Sequence, residues 1–325
     1  MELSVSVERW PIAGAFRISR GAKTEAEVVV ATLTDGPHRG RGECVPYRRY
    51  GESVEGVVAA IERLRPAIEA GLDRIALQSA LPAGAARNAL DCAFWDLEAK
   101  CRGVPVAALA GLAPPRPVVT AYTLSLDTPE GMARAAAQAG KPLLKLKLGG
   151  DGHDLDRVAA VHGAAPTARL IVDANEAWTI DDLRGLAPAL AASGVVLIEQ
   201  PLPAGEDGAL AGLHLPLALC ADESCHVASD LPRLVGLYSH VNVKLDKTGG
   251  LTEALALTAE ARRLGLGLMV GCMVGTSLGM APALLLAGDA DFVDLDGPLL
   301  LARDRAPGLC YDGATIQPAT GALWG

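Results

Sequence analysis

The stretch ARLIVDANEAWTIDDLRGLAPALAASGVVLIEQP, residues 168–201, carries two short apolar runs, and each ends on a carboxylate, Asp173 and Glu199. The interval of 26 residues from one carboxylate to the other suffices for a helix and two loops. Strand, helix and strand at this spacing form a βαβ unit, whose strands lie parallel in one sheet.

The unit recurs on both sides of this stretch. Apolar segments end at Thr123, Lys147, Asp173, Glu199, Asp222, Lys244, Gly271/Cys272 and Asp294, at intervals of 24, 26, 26, 23, 22, 27 and 23 residues. LLKLK, LALCADE, VNVKLDK, LGLMVGC and DFVDLD extend the pattern. Eight such segments in succession predict closure into a parallel barrel. The polar ends then share the rim at the C-terminal ends of the strands, where such barrels carry their active sites. Capping of helices or simple solvation would explain one such residue, but not seven in phase.

The 325 residues exceed a barrel of roughly 200–250 residues, which leaves material for a second unit. A β-meander is expected over residues 1–52, from the alternation in SVSVERW, then EAEVVVATL and GRGECVPY. Helices follow in VEGVVAAIERLRPAIEAGL and ARNALDCAFWDLEAKCRG, where apolar residues recur at three- and four-residue spacing. LAPPRP, residues 112–117, punctuates the chain before the first barrel strand. The expected organisation is an α+β unit over 1–115, a barrel over 116–300, and a segment 301–325 that returns to the first unit.

The net charge of −9, with no basic tract, argues against a nucleic-acid partner. Seven cysteines without CxxC pairs or zinc-ligand spacing read as reduced thiols. The N-terminus lacks the features of a signal peptide, and no apolar run is long enough to span a membrane. A cytoplasmic protein is expected.

From RGAKTEAEVVV (20–30) and GECVPYRRYGES (42–53) through LPAGAARNALDCAFWDLEAK, LLKLKL, IVDANEAW, EQPLP, CADESCH, VNVKLDKTGGLTEALALTAEAR and DFVDLDGP, the chain resembles the enolase superfamily. Within its muconate-lactonizing subgroup it is most similar to the dipeptide epimerases. The resemblance covers essentially the whole chain. It implies an α+β capping domain over a modified TIM barrel, (β/α)7β, whose eighth strand lacks a standard helix. It also implies Mg2+-dependent epimerisation of dipeptides, L-Ala-D/L-Glu first, in murein-peptide recycling, by a homo-oligomer.

The residues support this chemistry. Asp173, Glu199 and Asp222 end three successive strands, and neighbouring strands lie about 4.8 Å apart, so the three can converge on one cation. Oxygen-only ligands favour Mg2+, then Mn2+, and no histidine joins them to suit zinc. Helix capping would explain either aspartate but explains Glu199 poorly.

Lys145 and Lys147 lie two apart on one strand and so share a face. Two adjacent ammonium groups beside a divalent cation would push a lysine pKa down toward the range of a base. Lys147, nearer the rim, is the candidate base, and Lys145 the candidate contact to a substrate carboxylate. The resemblance assigns these roles in the same way.

The sixth strand offers Lys244 and Lys247, opposite the second in a ring of eight. The resemblance selects Lys244 and leaves Lys247 to begin the next loop. Lys147 and Lys244 would then serve a two-base 1,1-proton transfer through an enolate, stabilised by Mg2+ and Lys145.

Asp294 and Asp296 share a face and need a cation. The resemblance implies the substrate α-ammonium, while a salt bridge to Arg303 or a helix cap is the structural alternative. Arg20, ahead of Arg48 and Arg49, is the candidate for the side-chain carboxylate of the second residue. Thr123 resembles a substrate-contacting position, although strand-end threonines are commonly structural.

Gly275 stands where many subgroup members carry a glutamate. Cys272 has no histidine motif and reads as a buried thiol. His226 reads as a loop residue or a support to the metal site. Gly149, Gly150 and Gly152 lack the context of a dinucleotide fingerprint. The rival functions are a cycloisomerase or dehydratase of the same subgroup, and a non-catalytic metal- or peptide-binding barrel.

Overall fold

The computed structural model describes residues 1–325. The chain opens with an antiparallel meander of β1 (Glu2–Ile18), β2 (Gly21–Asp35) and β3 (His38–Cys44). Four helices follow: α1 (Val54–Arg63), α2 (Arg65–Glu69), α3 (Arg74–Ala80) and α4 (Ala85–Arg102). The run Val28–Val29–Val30 is continuous because β2 is buried on both faces. Val29, Ala31 and Leu33 pack toward Ala89, Leu90 and Ala93 of α4, whereas Val28 and Val30 join the core that extends into the barrel. Glycines on β3 let α4 approach: a Cβ at Gly40 would lie 2.2 Å from Ala93 O, and one at Gly42 2.1 Å from Ala89 O.

A short helix, α5 (Val106–Leu109), and strand β4 (Val118–Val119) lead into the barrel. Its first half comprises β5 (Tyr122–Leu124), α6 (Pro129–Ala139), β6 (Leu143–Lys147), α7 (Asp154–Ala164), β7 (Arg169–Asp173), α8 (Ile180–Ala192) and β8 (Val195–Glu199). The second half comprises β9 (Ala218–Ala221), β10 (His240–Val243), α9 (Leu245–Thr248), α10 (Leu251–Arg263), β11 (Gly267–Gly271), α11 (Ser277–Ala287), β12 (Phe292–Asp294) and α12 (Gly297–Leu300). Strands β5 to β12 pair in chain order, all parallel, and Ala121 N donates to Val293 O at 2.8 Å where the ends of the series meet. The expected parallel barrel with a separate α+β unit is what the chain forms.

Two connections differ from a uniform strand–helix repeat. β8 and β9 are followed by 3-10 turns, Asp207–Leu210 and Ala228–Arg233, in place of α-helices. Pro201, Pro203 and Gly205 occupy the first connection and Pro232 the second, and proline removes the N–H that a helix interior requires. Only the four-residue α12 follows β12, in keeping with an eighth strand that lacks a full helix.

Side-chain alternation divides the barrel interior into two layers. Ala121, Leu143, Ile171, Leu197, Cys220, Met269 and Phe292 form an apolar plug. Two residues further along the same strands stand Thr123, Lys145, Asp173, Glu199, Asp222, Gly271 and Asp294, on the same inward face.

The end of the chain forms β13 (Tyr311–Asp312) and β14 (Thr315–Ile316), and β14 pairs with β4. It then reaches α4, where Trp324 Nε1 donates to Cys92 O at 3.0 Å and Gly325 N to Asp96 Oδ1 at 2.8 Å. No helix is long and apolar enough to cross a membrane.

Candidate active site

Strand register sets the polar layer. Lys147 pairs with Asp173 and Asp173 with Glu199, while Asp222 lies two residues past Cys220, the register partner of Glu199. The three carboxylates are 0–2 % exposed, and Lys145, Lys147 and Lys244 are 2, 7 and 6 % exposed. β6, which bears Lys147, lies four strands from β10, which leads into Lys244, so the two lysines enter from opposite sides of the ring.

As the side chains stand, each carboxylate turns toward a lysine and the three do not converge on one point. Lys147 Nζ lies 2.6 Å from Asp173 Oδ2, and Lys244 Nζ 2.6 Å from Asp222 Oδ2. Lys145 Nζ is 2.7 Å from Asp294 Oδ2 and 3.3 Å from Asp173 Oδ2. It also lies 2.7 Å from Glu199 Oε2, but off the hydrogen-bond direction, which leaves that buried oxygen without a hydrogen bond.

Ionisation follows from these contacts. Burial disfavours both Lys145 and Lys244 as ammonium ions, yet Asp294, Glu199 and Asp173 around the first and Asp222 beside the second raise both above the usual lysine range. Burial likewise pushes Asp173 and Asp222 up, and the neighbouring lysines more than reverse it, holding both below the usual carboxylate range. Glu199 is raised by burial and by Asp173. The carboxylates that interleave the lysines thus set the direction for Lys145 and Lys244 in the chain alone, whereas the lowering expected on the second barrel strand belongs to a site that also holds a divalent cation.

The aspartate pair on β12 has found partners. Asp294 meets Lys145, and Asp296 Oδ2 accepts from Thr123 N at 2.6 Å. Arg303 instead lies over the Trp10 ring, 5.7 Å from its centroid, and Asp296 makes no side-chain cap to α12, so neither structural alternative for the pair is realised. Burial and the neighbouring Asp294 raise the Asp296 carboxyl. The Thr123 hydroxyl, 3.5 Å from Asp294 Oδ1, faces this pair.

Arg20, in the β1–β2 turn, reaches across to the barrel. Its Nη1 donates to Asn175 O at 2.7 Å and Glu176 Oε2 at 3.0 Å, and its Nη2 to Glu223 Oε1 at 2.7 Å and the Tyr47 hydroxyl at 3.1 Å. Arg49 grips Glu176 through two bonds of 2.8 and 2.7 Å. Both arginines are thus engaged by protein carboxylates, whereas Arg48 forms no ion pair. Asn175 and Glu176 reach these positions with φ of 47° and 70°, in the left-handed region. Between cap and barrel lies a cavity of about 780 Å³, lined by Phe16, Ile18, Arg20, Lys23, Tyr47 and Arg48 above and by Lys145, Lys147, Asp222, Lys244, Asp294 and Asp296 below.

Other positions resolve simply. Cys272 is half-buried on the cavity wall and not fully buried as expected, and desolvation together with Asp294 and Asp296 raises its thiol well above its usual range, which disfavours the thiolate. The His226 ring packs edge-on to Tyr50 with centroids 4.5 Å apart. Gly149 N and Gly150 N donate to Asp154, at 2.9 Å each, so this glycine loop is closed by its own helix. A Cβ on Gly275 would lie 3.0 Å from Glu43 Oε1, so a buried carboxylate from β3 fills the space beside it. Glu43 is held there by Thr276 N at 2.7 Å and Arg305 Nη2 at 2.7 Å.

Several polar residues of the site escaped sequence reasoning. Lys247 is fully buried against Asp222, and Asn242 Nδ2 donates to Glu199 Oε1 at 2.8 Å. Glu223 and Glu176 anchor the cap arginines. For Lys247 a signal existed: three residues after Lys244, on a helical turn, it returns toward the same face.

Residues 1–111 match the model of the mandelate racemase/muconate lactonizing enzyme N-terminal domain, and residues 128–294 that of the enolase C-terminal domain-like family. The chain is 50 % identical to L-Ala-D/L-Glu epimerase of Escherichia coli (strain K12), over 95 % of this chain and 97 % of that one. It is 48 % identical to N-acetyl-D-glutamate racemase of a Pseudoalteromonas species, over 92 % and 95 %. Among solved structures it superimposes on an enolase family member from Agrobacterium tumefaciens with homology to dipeptide epimerases, bound to sodium and L-Ala-L-Glu, with a TM-score of 0.97, 54 % identity and 99 % of each chain covered. A dipeptide epimerase from Enterococcus faecalis, complexed with Mg and L-Leu-L-Tyr, gives a TM-score of 0.90 at 29 % identity, over 98 % of this chain and 96 % of that one. Joined to these proteins in fold and in sequence along nearly its whole length, the chain belongs to the mandelate racemase/muconate lactonizing enzyme family of the enolase superfamily.

Proposed function

We propose that this chain is an isomerase that epimerises dipeptides at the α-carbon of the C-terminal residue, with L-Ala-D/L-Glu as the leading substrate. One observation carries the reading: Lys147 and Lys244 stand on opposite sides of a ring whose floor is lined by carboxylates. Inversion at carbon needs a proton removed from one face and another delivered to the opposite face, and two lysines so placed supply both.

Asp173, Glu199 and Asp222 fit a hard divalent cation. They are all oxygen donors, lie on neighbouring strand ends and are buried, and Glu199 Oε2 lacks a hydrogen bond. Mg2+ held by these three would stabilise the negative charge that develops on the substrate carboxylate.

The remaining work falls to the chain itself. Lys145, buried beneath the rim, donates to a substrate carboxylate oxygen. Lys147 in its neutral form takes the α-proton from one face, and Lys244 as ammonium delivers one to the other; the reverse reaction exchanges their roles. Asp294 and Asp296 receive the α-ammonium, with Thr123 fixing Asp296. Arg20 binds the acidic side chain of the second residue by exchanging Glu223 or Glu176 for it, flanked by Lys23 and Arg48 on the same wall. Residues 1–115 with the returning segment 301–325 form the cap, and residues 116–300 carry the chemistry. The setting that follows is murein-peptide recycling in the cytoplasm, by an assembly of identical subunits.

A second reading takes an N-acylated glutamate with a neutral acyl group, as the name of the Pseudoalteromonas racemase suggests for that protein. In its favour, Asp294 Oδ2 is already engaged by Lys145 and Asp296 Oδ2 by Thr123 N, so these two oxygens are partnered without an ammonium.

The deciding experiment incubates the protein with Mg2+ in D2O with L-Ala-L-Glu, other L,L-dipeptides or N-acetyl-D-glutamate, and follows the α-proton by NMR. Deuterium entering with inversion on L-Ala-L-Glu supports the first reading, and turnover of N-acetyl-D-glutamate alone supports the second. No exchange with any substrate would move the assignment to a cycloisomerase, a dehydratase or a non-catalytic barrel.

A further inference from the structure

Lys247 is the one lysine of the polar layer that the reaction leaves without a task. Its side chain is 0 % exposed, and its three donors are all engaged: Asp222 O at 2.6 Å, Asp222 Oδ1 at 2.6 Å and Asn242 O at 2.8 Å. It sits on the single turn α9, which ends at Gly249 with φ of 73°, and so spans from the end of β10 to the end of β9.

Asp222 is held at nearly every other polar atom as well. Its N–H donates to Gln200 Oε1 at 2.8 Å, and its carbonyl also accepts from Cys225 N at 3.1 Å. Only Oδ2 has a partner that the proposed reaction requires elsewhere, namely Lys244 at 2.6 Å.

We propose that Lys247 is a positioning residue for cation binding: it locks Asp222 through Oδ1 and the main-chain carbonyl, so that Oδ2 alone is offered to a divalent ion. The inference rests on the reading of Asp222 as a cation ligand. It carries a sign that a mere charge effect does not. Removing a buried positive charge beside a carboxylate should tighten cation binding on Coulombic grounds. Removing a group that orients a ligand weakens metal affinity by about 10- to 100-fold.

The test is Mn2+ binding to the full-length protein, read by electron paramagnetic resonance of the free ion, for wild type, Lys247→Met and Lys247→Gln. A loss of about tenfold or more in Lys247→Met, with Lys247→Gln intermediate through its amide donor, supports the proposal. Unchanged or tighter binding by Lys247→Met overturns it. If wild type itself binds no Mn2+, the metal reading falls and takes this proposal with it, a result distinct from a variant that binds as wild type does. Should neither variant fold, a crystal structure of wild type loaded with Mg2+ decides: Lys247 still on Oδ1 supports the proposal, whereas a displaced Lys247 or an Asp222 bound through both oxygens overturns it.

Discussion

Arg20 Nη2 donates to Glu223 Oε1 across 2.7 Å, and this bond ties the β1–β2 turn of the cap to the loop directly after β9. The Glu223 side chain is 2 % exposed and the Arg20 side chain 27 %, so the pair lies at the boundary between protein and cavity. Burial raises the Glu223 carboxyl, as do Asp222 and Asp173, with Lys244 and Arg20 opposing them. Arg20 therefore serves the closed cap whatever else it binds.

Replacing Arg20 with Met should free the turn and leave Glu223 and Glu176 short of a partner. The expected outcome is faster amide hydrogen exchange over residues 19–25 and 46–50. A lower kcat/KM should follow for dipeptides with apolar as well as acidic second residues. If turnover of apolar dipeptides is untouched while that of L-Ala-L-Glu falls, Arg20 is a side-chain ligand and not a latch.

Lys147→Ala and Lys244→Ala should each lower epimerisation by about a hundredfold to ten-thousandfold, the usual contribution of a general acid or base. The informative readout is exchange without inversion. Each variant retains one lysine, so each should wash deuterium into one epimer only, and the two variants should select opposite epimers. Proton NMR of the D- and L-epimers, run separately, checks this. Equal residual exchange on both epimers in either variant would remove the two-base assignment.

Much of this site was legible because strand alternation is strict. LLKLK places Lys145 and Lys147 inward together, and ending the same alternation on Asp173, Glu199 and Asp294 builds a polar layer directly above an apolar one. What escaped depends on contacts between distant segments that share no period. Arg20 meets Glu176 and Glu223 across 156 and 203 residues, and no local pattern announces that its donors are engaged. Lys247 read as the start of a loop because TGG follows it, while the turn actually carries its side chain back into the barrel. The ionisation of Lys145 and Lys244 could not be read from the sequence, because it is set by the balance of carboxylates around each ammonium, which needs distances.

Gly42→Ala tests the close approach of β3 and α4. The added methyl would lie 2.1 Å from Ala89 O and 2.8 Å from Ala93 N, both backbone atoms that cannot move without shifting the helix. Overpacking of this kind costs about 1–3 kcal/mol or more. Gly56, whose Cβ would meet only the Ser53 hydroxyl at 3.2 Å, is the control. Urea denaturation of both variants should show a large loss for Gly42→Ala and a small change for Gly56→Ala.

Asp246 offers a pH test away from the carboxylates of the barrel floor. Val45 N at 3.0 Å and Asn88 Nδ2 at 2.8 Å both donate to its Oδ1, yet burial pushes its carboxyl up to about 7 from 3.8. The folded state therefore holds this proton more tightly than the unfolded chain does. Between about pH 4 and 7 the native form binds more protons, so this group makes stability fall as pH rises and contributes no further slope above 7. Asn at this position keeps an acceptor for both donors and cannot ionise. Asp246→Asn should thus lose that part of the slope and gain stability over wild type at pH 8 relative to pH 5, measured as the difference in thermal midpoint at the two values. A difference between variant and wild type that is the same at both pH values would mean that Asp246 ionises in the folded protein as readily as in the unfolded chain.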